Sequence, residues 1–453
     1  MHEPIRQDLL MRLASPGRRP ARLAAMASVT LLSLAVGVLP AQASPAAPAP
    51  AAAVSAYAGL DRAALRQSLD AFHKAGMYGA YSSVRDGSDR WRGATGIADR
   101  DTERPTRPDF EHRIGSITKT FTAVAVLQQV DKGRIDLDAP VGRYLPELVK
   151  GERGRKVTVR MLLNHTSGIG DYIVPAFPGL LEDPGKSLDA HRLRRIAPEE
   201  LARLGLAAPS PAKRGTHSYS NTNYILAGLL LKKVTGQNPE TYITRHVIRK
   251  AGLKHTYFPR TPRINGPHSK MYESFYGYID PARDYSVYDM SWAGTAGAMV
   301  STVDDLNDFY RKLLGGKLLG ADELREMKTT VPAHETEPGE EAGMRYGLGI
   351  YTLKMPSGWY WGHDGGVFGA GTWSLSTGNG RRQVSIGWNL MKYERFDEQG
   401  KPKPDPIGTA LFQYIDGALA GAKKPAPRSS AAAPGTPAPL MQQRLVGPEQ
   451  LRR

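Results

Sequence analysis

The stretch Ile117-Thr118-Lys119-Thr120-Phe121-Thr122-Ala123-Val124-Ala125-Val126-Leu127 predicts a helix with apolar side chains on several sides, closed by Lys132-Gly133. Such a helix has no polar face to give to water, so the fold must enclose it. Enclosure takes a large core, and 453 residues with 41% hydrophobic content can supply one. Cysteine is absent. Packing alone must therefore hold the domain together, and thiol nucleophiles, cysteine-ligated zinc and iron-sulfur clusters are excluded.

The two ends differ from the middle. Arg12, Arg18, Arg19 and Arg22 precede an apolar run over 24–39 and then Ala41-Gln42-Ala43, a small-x-small pattern. This predicts a signal peptide over 1–43 and export to the cell envelope or medium. No later run is apolar over 18 residues, so no membrane span is expected once the signal is removed. Residues 44–56 and 421–453, rich in Ala and Pro, read as a linker and a disordered tail. The net charge of +16 comes from dispersed Lys and Arg rather than basic runs, which argues against nucleic acid and is compatible with anionic cell-wall polymers as partners.

Between the ends, 57–420 reads as one domain. Ala64, Leu65, Leu69 and Phe72 recur at helical spacing, and strand-like pieces follow at 77–84 and 90–97. From about 137 to 291 short helical patterns alternate with Pro/Gly-rich loops. The clearest helix runs from Asn221, read as its cap, to Val234, with Gly236 ending it. Strand signals return at 346–352, 358–363, 371–375 and 383–388, and a last amphipathic helix spans 407–420. The order predicts an α+β fold: an antiparallel sheet flanked by the amino- and carboxyl-terminal helices, with an inserted all-helical region.

Three patterns could carry chemistry. Ser116-Ile117-Thr118-Lys119 puts a hydroxyl and an amine on one face at a helix start. Burial near the helix amino-terminus lowers the proton affinity of the amine, which can then take the serine proton without a histidine. An S-x-x-K alone is weak, since Ser210-Pro211-Ala212-Lys213 also matches. Tyr219-Ser220-Asn221, the only Y-x-N, precedes a helix and offers a phenol as general base and an amide to orient a carbonyl. His363-Asp364-Gly365-Gly366 follows an aromatic strand, and its glycines let another backbone approach, so that the Gly366 and Ser116 N–H groups could form an oxyanion hole. No H-E-x-x-H or G-x-S-x-G occurs, so a zinc peptidase and an α/β-hydrolase are not expected.

In this order, the three patterns resemble the signature of serine penicillin-recognising enzymes, in the branch of class C β-lactamases and related D-alanyl-D-alanine carboxypeptidases, esterases and D-aminopeptidases. Arg113-Ile114-Gly115, Gly133 to Asp138, Leu162-Leu163-Asn164-His165-Thr166-Ser167-Gly168 and Ala296 to Thr302 extend the likeness over about 60–420. The resemblance implies Ser116 as nucleophile, Lys119 as its proton partner, Tyr219 as general base, and Asn221 and His363 as positioning groups with Asp364 and Gly365 beside them. It also implies Phe121 and Trp292 as aromatic walls, Ser116 and Gly366 amides as oxyanion hole, and no metal or cofactor. A peptide, β-lactam or ester substrate would follow, with carboxypeptidase or β-lactamase activity leading, and an esterase or D-amino-acid amidase or aminopeptidase as alternatives. A catalytically silent penicillin-binding or sensing protein is the alternative of another class, against which the intact Ser116, Lys119 and Tyr219 argue.

Two positions depart from the carboxypeptidase pattern. Asp364 stands where Thr is usual, and Tyr351 follows Tyr346-Gly347-Leu348-Gly349-Ile350 where some members place Arg. An ionised Asp364 about 4 Å from a substrate carboxylate would cost on the order of 4 kcal/mol, or ~10³ in rate, unless it turns to a helix amino-terminus or to a cation such as Lys354 or Lys392.

Overall fold

The computed structural model describes residues 59–334 and 341–421. The expected signal peptide, the linker and all of the tail beyond Gly421 lie outside them. The chain folds as α+β around a nine-stranded, wholly antiparallel sheet. Its strands are β1 (Gly79–Asp86), β2 (Asp89–Asp99), β3 (Arg104–Pro105), β4 (Val331–Pro332), β5 (Met344–Tyr346), β6 (Tyr351–Met355), β7 (Gly358–Val367), β8 (Ala370–Ser376) and β9 (Arg382–Trp388). The spatial order is β3-β2-β1-β9-β8-β7-β6-β5-β4, so the amino-terminal hairpin joins the carboxyl-terminal strands through β1 and β9.

The two sheet faces are built differently. On one, Ala80, Val84, Val384, Ile386 and Trp388 pack under helix α1 (Arg62–Lys74), through Leu65, Leu69 and Phe72, and under the last helix of the domain (Pro406–Ala420), through Leu411, Tyr414 and Ile415. This is the layer the terminal periodicities called for. The opposite face is polar where helix Val303–Leu314 crosses it. There Ser385 donates to the Asn307 side-chain oxygen at 2.8 Å, Asn307 donates to the Ser83 carbonyl at 2.9 Å and Arg85 pairs with Asp308 at 2.7 Å. These partners satisfy the buried polar atoms that such a face would otherwise strand.

Helix α2 (Thr118–Asp131) is the enclosed helix, buried without a break from Thr118 to Gln129. Helix α3 (Asn221–Thr235) lies in the same core. Gly236, at φ +69°, ends α3 as expected, whereas Ser220 rather than Asn221 holds its amino-terminal cap position. Asn221 is drawn away by partners described below. The inserted region is helical as far as Ile248 and then departs from the all-helical expectation. Tyr272–Glu273 and Arg283–Asp284 pair with each other, and Leu390–Met391 runs parallel to the first of them. The expected strand at 346–352 is instead a hairpin: Tyr346 and Tyr351 face each other, and Gly349 turns at φ +72°. Among the described residues no helix is long and apolar enough to cross a membrane.

Phe72 is fully buried and meets the Trp388 ring edge-on at 6.4 Å, tying α1 to β9. Phe72→Ala is expected to lower the unfolding free energy by about 3–5 kcal/mol, measured by denaturant titration.

Candidate active site

Ser116 sits in a single 3-10 turn, Gly115–Ile117, that runs directly into α2. The turn touches β7 backbone to backbone. A Cβ on Gly365 would lie 2.0 Å from the Ile114 carbonyl oxygen and 2.9 Å from the Ser116 nitrogen, and one on Gly115 would lie 2.6 Å from the Gly366 nitrogen. Only glycine permits this approach, and Gly115 also needs its φ of +50°. The amides of Ser116 and Gly366 are thereby brought onto adjoining segments beside the serine hydroxyl.

One turn further on, Lys119 is fully buried. Its ammonium donates to Ser116 Oγ at 2.9 Å, Asn221 Oδ1 at 2.8 Å and the Ala296 carbonyl at 2.8 Å. Burial pulls its pKa down to about 7, against the upward pull of Asp171 and Asp364. The three acceptors are not equivalent: two are carbonyl oxygens, while the serine hydroxyl can also donate. When Lys119 is neutral, its lone pair therefore has Ser116 as the partner able to supply a proton.

Tyr219 is half-buried and hydrogen-bonded to Ser116, with the Lys119 nitrogen 4.8 Å from its ring centre. Burial raises its pKa well above the usual phenol value, and the charge of Asp364 adds to the rise. At rest near pH 7 Tyr219 is thus a neutral phenol. His165, at φ +60°, stacks behind it at 4.1 Å and lies 4.9 Å from the Tyr346 ring. Its Nδ1 accepts from the Ser220 N–H at 3.2 Å, and the Asn223 amide lies 3.1 Å away. Burial first, then the neighbouring His217 and Lys119, keep this imidazole neutral.

Asn221 accepts from Lys119 and donates its side-chain amide to Asp171 at 2.9 Å. Asp171 also takes the Asn221 backbone N–H at 2.7 Å and that of Ile173 at 2.9 Å. These bonds explain why Asn221 does not cap α3. Burial raises the Asp171 pKa despite these donors and Lys119.

His363 is fully buried, with Nε2 2.7 Å from the Tyr346 hydroxyl and Nδ1 2.6 Å from the Asp364 carbonyl. Burial pushes its pKa down to about 3, so it is a neutral ring turned toward Tyr346. Asp364 is 6% exposed and accepts a hydrogen bond from Tyr351. The two positions that depart from the carboxypeptidase pattern therefore meet each other. The cations suggested for Asp364 are engaged elsewhere: Lys354 with Glu341 and the buried Lys392 with Glu273, each at 3.0 Å.

The two expected aromatic walls separate. Phe121 is fully buried and stacks on Phe309 with centroids 3.7 Å apart, so it belongs to the core rather than to a pocket wall. Trp292, 2% exposed, packs against Phe368 at 5.1 Å and Phe177 at 5.5 Å, and its indole N–H has no partner among the described residues. Phe368 forms the β7–β8 turn, immediately after the Gly365-Gly366 segment. Asp171, His165 and Tyr346 escaped sequence reasoning as site residues. His165 and Tyr346 stood inside quoted motifs, whereas nothing around Asp171 marks it locally.

A family model described as Beta-lactamase matches residues 62–379. PbpX of Bacillus subtilis, which carries the name of a penicillin-binding protein, is 26% identical over 279 residues, 61% of this chain and 62% of its own. An esterase of Burkholderia gladioli is 35% identical over 206 residues, 43% of this chain and 52% of its own. The chain thus spans between half and two thirds of the length of these two curated relatives. Among solved structures, a D-stereospecific amidohydrolase from a Streptomyces species is similar at 38% identity and TM-score 0.67, over 74% of this chain and 95% of that one.

Gly365→Ala places a methyl against the Ile114 carbonyl and must displace the Ser116 turn. We expect covalent labelling of Ser116 by a fluorophosphonate to slow by at least ~10²-fold. Labelling at the parent rate would show that the contact between turn and strand does not set the serine's reactivity.

Proposed function

The chain belongs to the β-lactamase family and is a serine hydrolase of that superfamily, and we propose that it cleaves amides or esters whose acyl part is a D-amino acid with a free α-amino group. The observation that carries this reading is Asp171, a carboxylate held by Asn221 beside the Lys119–Ser116 pair. An ammonium next to the scissile carbonyl would find a counter-charge there. The carboxylate of a D-alanyl-D-alanine peptide or a β-lactam would meet the negative charge of Asp364 and no arginine at position 351. Similarity to a D-stereospecific amidohydrolase supports the configuration. The penicillin-binding relative keeps a carboxypeptidase-like or β-lactamase-like reading second. The arginine-flanked apolar run at the amino end supports export.

In this mechanism neutral Lys119 takes the Ser116 proton as Oγ bonds to the carbonyl carbon, and the developing oxyanion is held by the Ser116 and Gly366 N–H groups. Tyr219, bonded to Ser116 as a neutral phenol, passes a proton to the departing amine or alcohol and is restored from Lys119. Water then attacks the acyl-enzyme along the same path in reverse. Asn221 keeps Lys119 aimed at Ser116, and His363 holds Tyr346.

Comparing D-phenylalanine p-nitroanilide with its N-acetyl derivative tests the substrate. The free amine is expected to be favoured by ~10- to 10²-fold in kcat/KM, and Asp171→Asn to erase that preference while still turning over p-nitrophenyl acetate. Equal kcat/KM values for the two anilides in the parent enzyme would defeat the reading. With p-nitrophenyl acetate, which has no titrating amine, the acylation rate should rise with pH through about 7 as Lys119 loses its proton. A rate that falls as pH rises through 7 would mean that the ammonium is the working form.

A further inference from the structure

At the far end of α2 from Ser116, the surface carries an open cavity of about 360 Å³ whose charged lining side chains are exposed. Its wall comes from three places: the end of α2 with Gln128, Asp131 and Lys132; the segment with Arg245, His246 and Lys250; and the loop Gly316–Gly320 with Lys317. Helix α2 is 14 residues long, which separates this cavity from the serine by ~20 Å at ~1.5 Å per residue.

The charge on this wall is one-sided. Lys132, Arg245, Lys250 and Lys317 line it with Asp131 as the one carboxylate among the lining residues, and among the described residues none of these four side chains has an ion pair or hydrogen bond. Lys132, Arg245 and Lys250 lie close enough to His246 to help burial depress its pKa, so their charges converge rather than spread over the surface. A structural explanation would have these side chains neutralising helix carboxyl-termini. Lys312 shows what that role looks like, since its ammonium donates to the Ala251 carbonyl. The other cations are not needed for it: backbone N–H groups of Gly133, Arg134, Gly315 and Gly316 already cover the carbonyls of Val130, Gln129, Arg311 and Leu313.

The local backbone is also unusual. Thr244–Ile248 is a π-helical turn, a rare conformation that is enriched at binding sites. It carries Arg245 and His246, and Tyr242 stacks on the imidazole at 4.2 Å. Gln128 donates to the carbonyls of His246 and Leu318, tying two of the three wall segments together. The cations are therefore mounted on a connected floor.

We propose that this cavity is an anion site that takes phosphate groups, distinct from the hydrolase centre. Four unpaired cations exceed what one carboxylate would balance, and an arginine beside three lysines suits the several oxygens of a phosphate or of adjacent phosphates. The phosphates could belong to a small ligand or to successive units of a phosphodiester polymer, and the cavity chemistry is common to both.

Calorimetric titration of the full chain with inorganic pyrophosphate, a glycerol-phosphate oligomer and succinate, at low and at physiological salt, tests this. Saturable binding of at least one phosphate ligand is expected, weakened ~10-fold or more by Arg245→Gln with Lys250→Gln and reduced by salt. Pyrophosphate binding would identify the small-ligand source, and binding of the oligomer alone the polymer. The double variant should retain parent turnover of p-nitrophenyl acetate, which establishes that it is folded. Absence of binding by both phosphate ligands, unchanged binding in a folded double variant, or equally tight binding of succinate would each overturn the assignment.

Discussion

The site depends on an amine that has been taken out of water. Lys119 has no exposed surface, and its three donors meet one hydroxyl and two carbonyl-type oxygens. Desolvation lowers its pKa toward neutrality, while Asp171 and Asp364 keep it from falling further. That balance sets the roles of the surrounding groups. The lysine is the group poised near pH 7, whereas burial keeps Tyr219 a neutral phenol.

Burying that amine requires the rest of the architecture. Helix α2 must be enclosed along most of its length, which explains why its sequence has no polar stripe and why α3 shares its core. The sheet supplies the other half of the site by allowing the Ser116 turn to rest on β7 at two glycines. The β7–β8 turn that follows is itself anchored. The buried Lys392–Glu273 pair lies beneath it, and Glu273 also accepts the Gly369 N–H at 3.0 Å. Removing one partner of such a pair would leave a buried charge alone, so the pair restrains the segment that carries Gly366 and Phe368.

Much of this was legible in the residues. The order of S-x-x-K, Y-x-N and H-x-G located the hydroxyl, the amine and the phenol, and periodicity placed the terminal helices and most of the sheet. The failures share a cause. Sequence alone makes Asn221 a cap because a cap needs only local information, whereas its actual partners, Lys119 and Asp171, are 102 and 50 residues away. The resemblance makes Phe121 a pocket wall, but sequence does not say which side of a wholly buried helix meets a cavity, and the structure turns it onto Phe309. The strand expected at 346–352 overlooked a turn whose signal is the positive φ of Gly349.

By itself the sequence determined the fold class, the enclosed helix and which hydroxyl, amine and phenol could meet at one site, because these depend on side-chain type and on spacing within single elements. Tertiary structure alone decided their protonation states and the company they keep. It set Asp364 against Tyr351, engaged Lys354 and Lys392 with Glu341 and Glu273, turned His363 toward Tyr346 and brought Asp171 against Asn221. Desolvation and charge act through distance in space, and distance in space is what a linear spacing does not encode.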